Sequence, residues 1–159
     1  HKWNIIFVIK SYTTRVGNGA FITELFDTTG DILQTKGCEF GTTTGRKRRC
    51  GWLDLKQIKH ALEKFIPKNF VNENINYCIN LTKMDVLENI ENVKYAINYE
   101  DNKEYPFNKF TIDEVKPIYN EILDFKNNTN EYINVIETYL NCKIRYLNTG
   151  ADRNQLIYL

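Results

Sequence analysis

Between residues 41 and 49 the chain reads Gly41-Thr42-Thr43-Thr44-Gly45-Arg46-Lys47-Arg48-Arg49. Hydroxyls set between glycines offer side-chain donors and open backbone N–H groups, which together can form an anion-binding concavity. Arg46, Arg48 and Arg49 add planar forks that match a carboxylate or a phosphate in bidentate fashion. A small dicarboxylate or a nucleotide phosphate suits such a segment. The same spacing also fits a basic patch for nuclear import or nucleic acid. Two features tilt the balance toward the anion pocket. The basic run is short, and it abuts Cys50-Gly51-Trp52, which reads as the start of buried structure. A nucleic-acid surface would also interleave more basic and aromatic residues, and a net charge of +1 shows no such excess.

A second group is Lys83-Met84-Asp85. A carboxylate can accept both adjacent donors on the Watson–Crick edge of guanine, N1–H and the N2 amine. Adenine has no such pair, so an aspartate here would select guanine. The lysine stem can lie along the base plane. Taken alone, Lys-x-Asp also fits surface charge at a strand end. A third group, Asn148-Thr149-Gly150, suits close approach to a ribose or base, and alone it is simply a turn. His60 reads as solvated or cap-like, and Trp52 as core.

These groups need elements to hold them. Ile5 to Ile9 reads as a buried strand, followed by a polar loop over residues 11–19. A hairpin is expected next, with a strand from Phe21 to Phe26, a turn at Asp27-Thr28-Thr29-Gly30 and a return strand starting at Asp31. Residues 37–52 show neither period and read as an ordered loop. Asp54 can cap a helix whose face is Leu55, Ile58, Leu62 and Phe65 and which Pro67 stops. Residues 68–74 are a polar loop. Ile75, Tyr77, Ile79 and Leu81 alternate as a strand that ends at Lys83-Met84-Asp85. Open α/β sheets bind ligands beyond such C-terminal strand ends. Val93 to Tyr99 is another strand, closed by a turn at Asp101-Asn102-Lys103. A short helix capped by Thr111 or Asp113 would carry Pro117 in its first turn. A firmer helix runs from about Asn130 to Asn141, and a last strand from Ile144 to Leu147. Alternating strands and helices give the α/β class.

At 159 residues, 42% of them hydrophobic, the chain can build one domain with a real core. Cys38, Cys50, Cys78 and Cys142 form no C-x-x-C pair, and the histidines are only His1 and His60, so no zinc site is expected. Free cysteines suit a cytosolic protein. No apolar run is long enough to span a bilayer. The only methionine is Met84, so a chain starting at His1 reads as a piece of a longer polypeptide.

Together these segments resemble adenylosuccinate synthetases, in their C-terminal part. The match runs from Val8-Ile9-Lys10 and Tyr12-Thr13-Thr14-Arg15-Val16-Gly17 through Gly19 to Leu25. It is most specific from Glu39 to Asp54, resumes from Leu81 to Leu87 and closes at Asn148-Thr149-Gly150-Ala151-Asp152-Arg153. The resemblance implies a P-loop-NTPase-like mixed sheet with flanking helices, incomplete without an N-terminal region. It implies a ligase joining IMP to L-aspartate with GTP and Mg²⁺ in AMP biosynthesis. GTP would phosphorylate the purine 6-oxygen, and the aspartate amine would displace that phosphate.

By the same resemblance, Thr42, Thr43, Thr44, Gly45, Arg46, Lys47 and Arg48 form the aspartate loop. Val16 and Arg46 meet IMP. Arg48, Lys83, Met84, Asp85, Asn148, Thr149 and Gly150 serve GTP. The glycine-rich phosphate loop, the catalytic aspartate and histidine, and the Mg²⁺ residues belong to the absent part. The chain alone is therefore expected to be inactive, with no catalytic residue and no metal ligand of its own. Full-length relatives imply a cytoplasmic homodimer, and no nucleic-acid or membrane partner. The family usually has proline where this chain has Ala20, Ile22 and Ala151, and the linker from Ile66 to Ile75 is longer than usual. A module that kept the fold and nucleotide binding without the reaction is the alternative.

Overall fold

The computed structural model describes residues 3–66, 75–103 and 114–159. Three parallel strands make up most of the main sheet: β1 (Trp3–Lys10), β5 (Ile75–Thr82) and β8 (Ile144–Asn148). A short antiparallel β9 (Leu156–Tyr158) closes the far edge, giving the order β1-β5-β8-β9. A smaller sheet joins β4 (Leu53–Asp54), β6 (Val93–Tyr99) and β7 (Pro117–Ile122) in that order. A third pairing joins β2 (Thr13–Arg15) to β3 (Arg49–Gly51). The class is mixed α/β, as expected from the alternation of elements.

The helices follow from their caps and faces. In α2 (Leu55–Phe65) the Asp54 carboxylate accepts from the Gln57 N–H at 3.0 Å. Leu55 and Leu62 are buried and Ile58 packs on the core, whereas Phe65, in the last turn, is exposed. In α4 (Thr129–Leu140), Tyr132, Ile133, Ile136 and Leu140 are buried. Tyr132 sits edge-on to Tyr95 at 6.0 Å and to Phe125 at 5.4 Å, and its hydroxyl donates to the Ser11 carbonyl at 2.7 Å. One tyrosine thus ties α4 to both β6 and the end of β1.

The expected hairpin at 21–31 is not formed. Residues from Thr28 to Lys36 make α1, with Asp27 as its N-cap accepting from the Gly30 N–H at 3.0 Å. Asp27-Thr28-Thr29-Gly30 carries a cap signal as well as a turn signal, and burial of Leu33 decides between them. The segment around Glu24 does pair, but with Gly51 of β3. Two expected loops also lose residues to structure: β2 lies inside 11–19, and β3 inside 37–52. Pro117 does not sit in a helix. It opens β7, where an edge strand tolerates the missing N–H. Thr111, Asp113, Pro67 and the 68–74 loop lie outside the described residues.

β1 is an edge strand. Phe7 and Ile9 face the core opposite Ile79 and Leu81, while Ile6 and Val8 on the other face are exposed. No helix among the described residues is long and apolar enough to cross a membrane.

Candidate functional site

The parallel strands point their C-terminal ends the same way. Lys10 is level with Thr82, and Leu81 is level with Leu147, so β5 and β8 end together at Thr82 and Asn148, with Lys83 the next residue out. Ser11 knots these ends together. Its N–H donates to the Thr82 carbonyl at 2.8 Å and its hydroxyl to the Lys83 carbonyl at 2.9 Å.

Lys83 has φ of 68°, a left-handed conformation unusual for a residue with a side chain. The kink ends β5 and starts the single turn α3 (Met84–Leu87). Its ammonium donates to the Gly37 carbonyl at the end of α1, at 2.9 Å. The lysine stem therefore spans from the strand end to α1. Met84 is buried. One oxygen of Asp85 and the side-chain oxygen of Asn148 are buried without any hydrogen-bond partner. Such orphaned acceptors are costly and call for a donor from elsewhere.

Thr149 turns back toward Gln155, with its N–H donating to that carbonyl at 3.0 Å. The Gln155 amide packs against Gly150, where a Cβ would meet it at 2.1 Å and make that side chain shift. The turn after Ala151 is held by a capping box between Asp152 and Gln155.

The Thr/Gly/Arg segment is a loop closed at its neck. Phe40 bridges Lys47, the Gly41 N–H donates to the Arg46 carbonyl at 2.8 Å, and the Arg48 N–H donates to the Glu39 carbonyl at 2.9 Å. Gly45 takes φ of 63°, which a glycine adopts without strain. Thr42, Thr43, Thr44, Arg46 and Lys47 are all exposed at the tip. Val16 is exposed on its own loop.

Below the neck lies Glu39, fully buried. It accepts from the Lys10 ammonium at 2.8 and 2.9 Å, from the Tyr12 hydroxyl at 2.7 Å and from Arg48 at 2.9 Å. Burial alone would push this carboxyl up. The hydrogen bonds from Lys10, Tyr12 and Arg48 together outweigh it and hold the group below the usual glutamate range. Burial and the Glu39 charge push the nearby Cys50 thiol up to about 11. Arg49 is spent separately, on a paired contact with Glu24 and on the Gly17 and Gly19 carbonyls. Two of the four basic residues in the run are thus tied to internal carboxylates, which leaves little for a nucleic-acid patch.

The structure brings the roots of the expected groups together: Lys83 is tied to α1 beside Glu39, and Glu39 is tied to Lys10 at the end of β1. The residue reading gave Glu39, Lys10 and Ser11 no role. An acid two residues before a glycine- and arginine-rich loop was the available signal.

The family model of adenylosuccinate synthetase matches residues 2–157. This chain belongs to the adenylosuccinate synthetase family. It is 41% identical to the adenylosuccinate synthetase of Hydrogenobaculum sp. over 96% of its length, and 37% identical to that of Chlorobaculum tepidum over 99%. A yeast relative, from Yarrowia lipolytica, is 34% identical over 97%. The fully ligated adenylosuccinate synthetase of Plasmodium falciparum superposes with a TM-score of 0.83 at 33% identity, covering 97% of this chain. The chain spans 38% of the length of those three curated relatives and 39% of the Plasmodium chain.

Proposed function

We propose that this chain supplies one wall of an adenylosuccinate synthetase active site, binding the guanine end of GTP and the aspartate substrate. The observation that carries the reading is the pair of buried, unpartnered acceptors on Asp85 and Asn148 at neighbouring strand ends. A guanine edge offers the adjacent donors that Asp85 lacks. Lys83 and Met84 form the floor, and Asn148, Thr149 and Gly150 the side of that base site. Thr42, Thr43, Thr44, Gly45, Arg46 and Lys47 hold the carboxylates of L-aspartate with hydroxyls, backbone N–H groups and cations. Arg46 and Val16 face IMP, and Arg48 faces the GTP phosphates.

Electrostatics along this wall are suited to developing charge, because fixed donors aimed at an anion need no reorganisation when the reaction occurs. No group of three or more His, Cys, Asp or Glu side chains gathers at one point among the described residues. In this reading Mg²⁺ would be held by residues of the family-length protein outside this chain. By itself the chain gives no adenylosuccinate from IMP, aspartate and GTP, and ligase activity belongs to the family-length protein.

Equilibrium dialysis with labelled GDP and ADP tests the base site. GDP is retained and ADP is not, and Asp85→Asn weakens GDP at least about tenfold, because an amide presents an N–H toward a donor. Equal retention of GDP and ADP would sink the reading.

A further inference from the structure

Glu39 stands apart from every role assigned so far. It is a carboxylate with no exposed surface, held by donors from three places: the end of β1, the β1–β2 link and the residue before β3. Two cations, Lys10 and Arg48, face this one carboxylate, so the cluster keeps a surplus positive charge. A buried ion pair is a poor way to gain stability, since well-packed apolar residues do as well or better. What it does fix is direction. Arg48 is anchored by its own backbone, through its N–H on the Glu39 carbonyl and its carbonyl under the Gln34 amide at 2.9 Å. Its side chain is then caught on one edge only, by Nη1 on Glu39, and its remaining guanidinium N–H groups find no partner among the described residues. Lys83 fastens the same corner to the strand end that carries Asp85.

We propose that Glu39 is a positioning residue: it grips one edge of Arg48 and the neck of the Thr42–Arg46 loop so that the other guanidinium edge meets the phosphates of a nucleotide whose base lies at Asp85. This rests on the guanine reading above, and it adds a division of labour. Asp85 reads the base, and Glu39 acts on the phosphates through Arg48 without touching them.

Calorimetry with guanosine and with GDP separates the two parts, on the unchanged chain, Glu39→Gln, Arg48→Met and the double variant. Guanosine affinity stays the same in all four. GDP affinity falls about tenfold in Glu39→Gln, the scale of one charge-assisted hydrogen bond. The double variant is no weaker than Arg48→Met alone, because both substitutions remove one interaction. Equal losses for guanosine and GDP would reduce Glu39 to a structural part and overturn the proposal, as would additive losses.

A second measurement needs no ligand. Trypsin cuts the exposed tip after Arg46 and Lys47. In Glu39→Gln that cleavage speeds about tenfold more than cleavage elsewhere in the chain, which follows the loss of global stability alone. An unchanged rate at the tip overturns the proposal. If neither guanosine nor GDP binds the unchanged chain, the base site falls, and the tryptic result still decides whether Glu39 holds the loop.

Discussion

At the scale of single residues, the site is set by where charge is allowed to be buried. Glu39 tolerates complete burial because three donors meet it, and its carboxyl is thereby held below the ordinary glutamate range. A carboxyl lowered on folding contributes stability above its unfolded pKa, and that contribution is lost as the pH falls through the folded value. Urea melts of the unchanged chain and of Glu39→Gln, taken stepwise from neutral to acid, should therefore show the largest gap at neutral pH, closing in acid. A gap that widened in acid would contradict the assigned ion pairs. Removing the group altogether, in Glu39→Ala, should cost about 3 kcal/mol, the low end for breaking a buried pair, since Lys10 and Arg48 keep some contact with water. Asp85 is the opposite case. One of its oxygens is buried without a donor, so it is a cost to the isolated chain that a ligand can repay.

At the scale of elements, a few local choices decide how the loops are carried. Asp27 caps α1, whose last turn leads through Gly37 to Glu39. Gly51 lets β3 approach the segment before α1, since a Cβ there would meet the Thr23 carbonyl at 2.1 Å. Asp27→Ala should cost about 1 kcal/mol in thermal or urea unfolding. Gly51→Ala should cost more, about 1–3 kcal/mol, because the strand must shift.

The same elements show what could be read from residues alone. The Asp54 cap and the alternation of Ile75 to Leu81 and Val93 to Tyr99 state their own structure, because cap chemistry and period are local. The helix at α1 was hidden, because Asp-Thr-Thr-Gly serves a turn as well as a cap and only the burial of Leu33 separates them. β2, β3 and β9 were hidden for another reason. Strands of three residues are too short for a period, and they exist only through their partners. Of the candidate site, Thr42–Arg48 and Lys83–Asp85 could be proposed from their chemistry alone. The ties that join them, Lys10 to Glu39 and Lys83 to Gly37, bridge residues far apart in the chain, and no spacing rule reports such contacts.

At the scale of the whole molecule, the open flank is β1. A parallel sheet is ordinarily covered on both faces, yet Trp3, Ile5, Ile6 and Val8 are exposed here, and the outer side of β1 pairs with no strand among the described residues. An unpaired apolar edge is a template for association. The chain should therefore elute above its monomer mass at high concentration in light-scattering chromatography, and Val8→Lys should shift it toward the monomer. If Val8→Lys left the association unchanged, β1 would not be the sticky flank.

The two tryptophans fall on either side of this picture. Trp52 is 6% exposed inside the core, and Trp3 is 67% exposed on the open strand. Their emission should differ in colour, blue for the first and red for the second. Whatever comes to lie against β1 would dim or blue-shift the red part and leave the blue untouched, so the molecule carries its own optical gauge of assembly, with its internal reference built in.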